Sequence, residues 1–281
     1  MKIAALADIH GNYQALITVL DHVERWNPDL VIVLGDIINR GPRSNDCLNL
    51  IQDLEKRKSW QVIKGNHEEY VLEFDEPDAP KSGPRFESLK IIYWTYKNLP
   101  AEDIQVVKNL PFELDIQLPR NGRLRAVHAS LGGMRVGIYP NHDYTGLLEL
   151  IDQKAELFLV GHTHQPLIRD VNGTLVVNAG SIGLPFDGDS RTSYAQLTQN
   201  GSGWKGNIIR LDYDQAAARE DFYSSGFIPD GGPLAKLVLT ELDLAWPQLS
   251  SWFKKYETAY LNNEIGLSEA VDEFLTNPHR E

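Results

Sequence analysis

Cysteine is all but missing from this chain of 281 residues, with Cys47 standing alone. A single thiol excludes an intramolecular disulfide and fits a reducing compartment. Cys47 falls on a predicted helix among apolar residues, which reads as core filler and not as a nucleophile. Positive charge is scarce as well. Lys and Arg number 27 against 39 Asp and Glu, a formal net charge of −12, whereas a nucleic-acid surface normally needs a basic stripe. Nucleic acid is therefore not an expected partner. Long apolar runs are also lacking. The stretch from Met1 to Asp8 carries one lysine and a short apolar run, too brief for a signal sequence or a membrane span. With neither low-complexity tracts nor internal repeats, the expectation is a cytoplasmic protein with no membrane partner.

What is present is a full core, since 42% of the residues are hydrophobic, which is ordinary for a globular protein. The central stretch is Leu30 to Pro42, L-V-I-V-L-G-D-I-I-N-R-G-P. Its apolar run is short, rich in Val and Ile, and reads as a strand buried on both faces. Asp36 closes that run, and a buried carboxylate is costly unless a proton, cation or metal neutralises it. Further strands are predicted at Ile3–Ala7, Trp60–Ile63, Leu124–Val127, Leu157–Val160 and Thr174–Val177. Ser193–Thr198 and Asn207–Leu211 suggest a closing hairpin with a loop longer than a tight turn. Helical spacing follows Asn12, a candidate cap, and recurs from about Ser44. This strand–helix alternation indicates an α/β domain. From about residue 70 to 110 the rhythm breaks. A Pro-, Asp- and Gly-rich loop at Asp75–Pro84 precedes an amphipathic helix marked by Phe86, Leu89, Tyr93 and Tyr96, and a shorter helix follows Pro100. This segment reads as a helical cap inserted in a core of residues 1–212. Residues 213–281 read as a helical extension: Asp214–Tyr223 and Pro233–Asn262 are helical in pattern, Gly226–Gly232 is a linker and Pro247 a break.

The predicted strands end in ligand-type side chains: Asp8 and His10, Asp36, Asn66 and His67, His128, and His162 and His164. Strand ends in an open α/β sheet converge on one crevice. Residues two apart in extended chain point the same way, so the Asp8/His10 and His162/His164 pairs can each aim at one site. The inventory suffices for two divalent metal ions if one carboxylate bridges. Mixed nitrogen and oxygen ligation suits borderline metals, manganese first, with iron, zinc, cobalt and nickel as alternatives. Two dications, two carboxylates and a hydroxide sum to about +1, which still attracts phosphate, and paired metals suit displacement at phosphorus. His22, His142 and His279 stand outside this pattern and read as structural. Trp246, Trp252, Phe253, Tyr256 and Tyr260 lie at helical spacing and read as core packing.

The blocks D-I-H-G-N, G-D-I-I-N-R-G, G-N-H-E, V-H-A-S and G-H-T-H, in that order from residue 8 to residue 164, resemble those of the calcineurin-like metallophosphoesterase superfamily. The resemblance extends through N-A-G-S-I-G-L-P-F-D-G-D-S-R-T-S-Y, and covers residues 2 to 212. It looks like a bacterial branch of phosphodiesterases and diadenosine-tetraphosphatase-like enzymes. It implies a four-layer αββα sandwich with a dimetal site at one edge of the paired sheets. Carried over by motif position, Asp8, His10 and His164 would hold one metal, Asn66, His128 and His162 the other, and Asp36 would bridge. His67 would be general acid for the leaving oxygen, and Arg40 would grip a phosphate oxygen, a task suited to a permanently charged, bidentate group. The resemblance further implies attack by a metal-bridging hydroxide.

One position departs from the pattern. Ser/Thr protein phosphatases of the superfamily carry an aspartate immediately before the arginine, where this chain has Asn39. An amide cannot stabilise an imidazolium as a carboxylate does. The leading expectation is thus a metal-dependent hydrolase of a small phosphodiester or nucleotide, including dinucleoside polyphosphates. A phosphomonoesterase or protein phosphatase is the alternative. A non-catalytic scaffold of the same fold is disfavoured because every ligand position is filled. The cap and C-terminal helices would shape the substrate entrance or form a homo-oligomer interface.

Overall fold

The period-two pattern of the first strand sets the layering. In the computed structural model, which describes residues 1–201 and 203–280, β1 (Lys2–Leu6) turns Ile3 and Ala5 into one apolar layer and Ala4 and Leu6 into another. Successive strand side chains point to opposite faces, so a strand apolar on both must be covered on both. Beside it, β2 (Leu30–Val33) and β3 (Gln61–Val62) run parallel. On the outer face, α1 (Tyr13–Trp26) and α2 (Ser44–Lys58) bury Leu16, Val19, Cys47 and Ile51. Asn12 caps α1, its Oδ1 accepting from the Ala15 amide at 3.1 Å.

After β3 the chain leaves the sheet through α3 (Asn66–Leu72), α4 (Gly83–Ser88), α5 (Lys90–Lys97) and α6 (Ala101–Asn109). The amphipathic helix expected around residues 86–96 is two helices, because Leu89 sits at φ −100° and ψ 6° between them. The second sheet holds β4 (Glu113–Gln117), β5 (Arg123–Val127), β6 (Leu157–Val160), β7 (Leu167–Val171) and β8 (Thr174–Asn178), in the order β4-β5-β6-β8-β7. It is covered by α7 (Tyr144–Leu150). The hairpin β9 (Thr192–Asn200) and β10 (Gly203–Leu211) returns to the first sheet, giving β10-β9-β1-β2-β3. Asn200 pairs with Gly203, so these strands run further than expected and the connection is shorter. Ile32, Leu34, Leu124, Leu157, Leu159 and Val177 fill the space between the sheets. The architecture is the four-layer αββα sandwich, with a helical cap and a helical C-terminal extension.

The extension comprises α8 (Gln215–Ser224), α9 (Phe227–Asp230), α10 (Ala235–Leu244), α11 (Leu249–Leu261) and α12 (Leu267–Leu275). The expected linker thus contains a helical turn, anchored by wholly buried Phe227. The expected break is real, with Ala245 left-handed at φ 55° ahead of Pro247. Trp252, Tyr256 and Tyr260 are core, while Trp246 and Phe253 are half-buried. These helices share one apolar cluster with Ile91 and Trp94 of α5 and with Leu184 and Phe186. Among the described residues no helix is long and apolar enough to cross a membrane. Leu159→Ala, at the centre of the inter-sheet layer, should lower the unfolding free energy by about 2–5 kcal/mol, measured by urea denaturation.

Candidate metal centre

The sheets meet at the carboxyl ends of β1, β2, β3, β5 and β6, and every site residue expected from the sequence lies there or in the turn just beyond. Asp8, His10, Asp36, Asn39, Arg40, His162 and His164 all have positive φ, between 48° and 70°. Left-handed backbone costs a non-glycine residue roughly 1–2 kcal/mol, so this many at one site must be held by their surroundings. Neighbouring turns supply the hold: the His10 amide donates to Asp36 O at 2.9 Å, and the Gly11 amide to Ile37 O at 3.0 Å. Across the sheets, the His162 amide donates to Asp8 Oδ2 at 2.9 Å. The β2 and β3 turns close so tightly that a Cβ on Gly65 would stand 2.1 Å from Asp36 Oδ1, and only glycine fits there.

Ring orientation follows from backbone carbonyls. His128 Nδ1 donates to Leu34 O at 2.7 Å, His10 Nδ1 to Asn39 O at 3.3 Å, and His164 Nδ1 to Leu184 O. A proton committed to Nδ1 leaves the Nε2 lone pair facing inward. His10 Nε2 and His164 Nε2 then oppose one another at 3.1 Å, lone pair against lone pair, an arrangement that calls for a cation between them. Asp8 Oδ1 is buried without a hydrogen-bond partner and lies 3.6 Å from His164 Nε2. Donor atoms of Asp8, His10, Asp36 and His164 lie within 4.8 Å of one another, and so do those of Asp36, His128 and His162. Asn66 Oδ1 joins the second group, 2.9 Å from His128 Nε2 and 2.8 Å from His162 Nδ1. Asp36 belongs to both. An orphaned carboxylate oxygen, opposed imidazole lone pairs and a mixed nitrogen and oxygen donor set fit divalent metal ions.

The charges of these side chains respond to burial and to each other. Burial, reinforced by Asp36, pushes the Asp8 carboxyl well above its usual range. Burial also opposes ionisation of Asp36, but His128 and His67 hold it well below that range. Burial would lower His128 too, yet the Asp36 charge keeps its proton on up to about 10.

Sequence reasoning quoted Glu68 within its block but gave it no role. The structure makes it the clamp of the Asp36 loop. Its wholly buried carboxylate accepts from the amides of Asp36 (2.8 Å), Ile37 (2.8 Å), Ile38 (3.1 Å) and Gly65 (2.7 Å). Burial and the Asp36 charge push its carboxyl up to about 7, against the pull of these amides. All four contacts are donors, so none accepts a carboxyl proton and the ionised form is the one that fits. The signal was available as capping-box spacing, with an acidic residue three positions after Gly65.

His67 and Arg40 stand beside the cluster, lining a cavity of about 670 Å³ whose other wall is made by Leu89, Ile92, Leu249, Phe253 and Leu261. Asn39 Oδ1 accepts from the Arg40 amide at 2.8 Å and from Thr95 Oγ1 at 3.4 Å. This fixes the amide orientation, so Asn39 Nδ2 donates to His67 Nδ1 at 2.8 Å and the His67 proton sits on Nε2. Burial pulls His67 down to about 3. Arg40 Nη1 donates to Glu241 Oε2 at 3.0 Å, and its Cζ lies 5.7 Å from the Phe186 ring centre. Glu241 and Phe186 were not singled out from the sequence. The signal for Glu241 was an acid on the apolar face of α10, beside Leu237, Val238 and Leu242. The other histidines lie elsewhere: His22 Nδ1 is 2.8 Å from Tyr194 Oη, His142 Nδ1 accepts from the Tyr139 amide at 3.3 Å, and the His279 amide donates to Gln248 Oε1 at 2.9 Å.

An αββα sandwich with a doubled histidine and carboxylate cluster at its joined strand ends is a metallophosphoesterase architecture. The sequence profile of the calcineurin-like phosphoesterase superfamily domain matches residues 1–201, and the chain belongs to that superfamily. It is similar to an uncharacterised protein of Methanocaldococcus jannaschii, 27% identical over 233 residues, 78% of this chain and 90% of the relative. A metallophosphoesterase structure from Sphaerobacter thermophilus superposes with a TM-score of 0.67 at 26% identity, covering 87% of this chain and all of the other. Over 69 residues the chain is 38% identical to a symmetrical bis(5'-nucleosyl)-tetraphosphatase of Mannheimia succiniciproducens, and over 70 residues 41% identical to serine/threonine-protein phosphatase 2 of Escherichia coli. Those two stretches cover 24% of this chain, and 24% and 30% of the respective relatives.

Glu68→Gln turns an amide NH2 toward converging backbone donors. We expect a stability loss of about 2–4 kcal/mol together with weaker Mn²⁺ binding, read by urea denaturation and titration calorimetry.

Proposed function

We propose that this protein is a hydrolase of small phosphorylated molecules that works with two divalent metal ions. Asp8, His10 and His164 would hold one ion, Asn66, His128 and His162 the other, and Asp36 both. The observation that carries this reading is that Asp36 is common to the two donor groups. Manganese is the proposed ion, with iron, zinc, cobalt and nickel compatible with the same donors. When bound, the ions supply Lewis acidity and activate water toward phosphorus.

The chain's own residues supply the rest. Arg40 binds a non-bridging phosphate oxygen and stays charged throughout. His67 offers its Nε2–H to the departing oxygen as a hydrogen bond. Full proton transfer would leave the ring unprotonated, because Nδ1 already accepts from Asn39. Leaving groups that need no proton are therefore favoured, as in nucleotide anhydrides and activated phosphodiesters. The short similarity to symmetrical bis(5'-nucleosyl)-tetraphosphatases agrees with this substrate class. A second reading, phosphomonoesterase or protein phosphatase, draws on the equally short similarity to a serine/threonine-protein phosphatase. The family profile, which ends at residue 201, supports a catalytic domain of residues 1–212 with 213–281 appended. The lone thiol of Cys47 supports a cytoplasmic setting.

Chelator treatment should abolish hydrolysis of bis(4-nitrophenyl) phosphate and Mn²⁺ should restore it. Asp36→Asn should lower that activity roughly 100-fold or more and reduce Mn²⁺ stoichiometry. Unchanged metal content and turnover in this variant would refute the assignment. Asn39→Asp provides a carboxylate for a proton on His67 Nδ1. Across aryl phosphates of graded leaving-group pKa, wild type should show a steep loss of kcat/KM and Asn39→Asp a shallower one.

A further inference from the structure

Glu241 is a wholly buried acid far in sequence from the candidate metal cluster, yet it touches Arg40, one of the arginines that line the cavity. Its Oε2 accepts from Arg40 Nη1 at 3.0 Å across 201 residues of chain. Its Oε1 accepts from the amides of Gln248 (2.8 Å) and Leu249 (2.9 Å), at the turn into α11. Burial pushes the carboxyl up, and Arg40 and the two amides oppose that push. Isolating such a group from water is costly, and an apolar residue on α10 would pack without that cost.

The guanidinium explains its presence. Arginine carries five N–H donors in a rigid fork. Of these, Nη1 is taken by Glu241, while Nε is buried and has no hydrogen-bond partner. The guanidinium also lies over Phe186, which stacks on His164 with ring centres 4.3 Å apart. Arg40 is therefore gripped on the Nη1 side, and its buried Nε–H, on the edge it shares with Nη2, is left without a protein partner. Two parallel N–H bonds from one edge are what a phosphate accepts bidentately.

We propose that Glu241 is a positioning residue that holds Arg40 with its Nε and Nη2 edge toward the cavity, so that the C-terminal helices complete the phosphate site. This rests on the reading of Arg40 as the phosphate-binding cation. The energetic logic is preorganisation. A free arginine loses rotamer freedom each time it binds an oxyanion, and one already fixed by Glu241 does not.

Glu241→Gln separates this role from folding. Its amide oxygen can still accept from the two amides of the α11 turn, while its NH2 faces Arg40 as donor against donor. We expect KM for bis(4-nitrophenyl) phosphate to rise about tenfold with a smaller change in kcat, at unchanged Mn²⁺ affinity. In an Arg40→Ala background the same change should add nothing. Asp243→Asn, which is on α10 like Glu241 and removes an exposed pair with Arg219 of α8, should leave KM unaltered. If Glu241→Gln does not fold, Glu241→Asp, which keeps the charge on a shorter arm, should raise KM in the same direction. An unchanged KM, an equal effect in the Arg40→Ala background, or a matching loss of Mn²⁺ affinity would overturn the proposal. If the wild type hydrolyses no phosphoester, the functional reading fails and Glu241 is judged by calorimetry of inorganic phosphate. Tenfold weaker binding by Glu241→Gln supports the proposal, whereas equal binding or none to the wild type overturns it.

Discussion

Four amide protons converging on one buried carboxylate set the geometry of this site. The amides of Asp36, Ile37 and Ile38 are consecutive, and together they converge on one anion as a nest of backbone N–H groups does. Glu68 is the anion that fills this nest. Its fourth contact, to the Gly65 amide, ties the β2 turn to the β3 turn, and the Asp36 carboxylate in turn accepts from the His67 amide at 2.8 Å. The side chain that both donor groups share is therefore aimed by the backbone beneath it. Glu68 needs no contact with metal or substrate to govern both.

The same turns join the two sheets. His128 comes from β5 in the second sheet, yet its ring proton goes to Leu34 of the first, and Asp8 of the first accepts from the His162 amide of the second. Core packing brings the sheets together without direction, whereas these hydrogen bonds fix their register at one edge. A local change in the cluster is thus transmitted to the packing between the sheets. A loosened inter-sheet core would, for the same reason, spread the donor atoms apart.

The central strands could be read from the sequence because parallel strands are buried on both faces and appear as short unbroken apolar runs. The ligand residues could be read because those runs end in them. The two edge strands of the second sheet escaped. In β4, Leu114 and Ile116 alternate with exposed charged and polar neighbours, and β7 ends the same sheet at the other side with Arg169 and Asp170 in its middle. Neither forms an apolar run. The split at Leu89 was invisible to periodicity, since Phe86, Leu89, Tyr93 and Tyr96 keep helical spacing across it. Glu68 and Glu241 escaped for a different reason: their partners are backbone amides and an arginine 201 residues away. Spacing along the chain carries a trace of the Gly65 contact alone, and none of the bonds from Asp36, Ile37 and Ile38 to Glu68 or from Arg40 to Glu241.

The sandwich holds the candidate metal donors, and the two side chains that would meet the substrate are also contacted from outside it. The Arg40 amide at 2.8 Å fixes the Asn39 amide with Thr95 Oγ1 of α5 at 3.4 Å beside it, and the Asn39 amide decides which nitrogen of His67 carries the proton. Glu241 of α10 fixes Arg40. The cap and the C-terminal helices share one apolar cluster, so both orientations depend on the same packed body. Such a body would bear on phosphate binding through Glu241 while the candidate metal donors stay as they are. On this view, substrate differences among proteins with the same metal motifs arise in the helices added around the core, and the blocks that identify the superfamily carry little information about them.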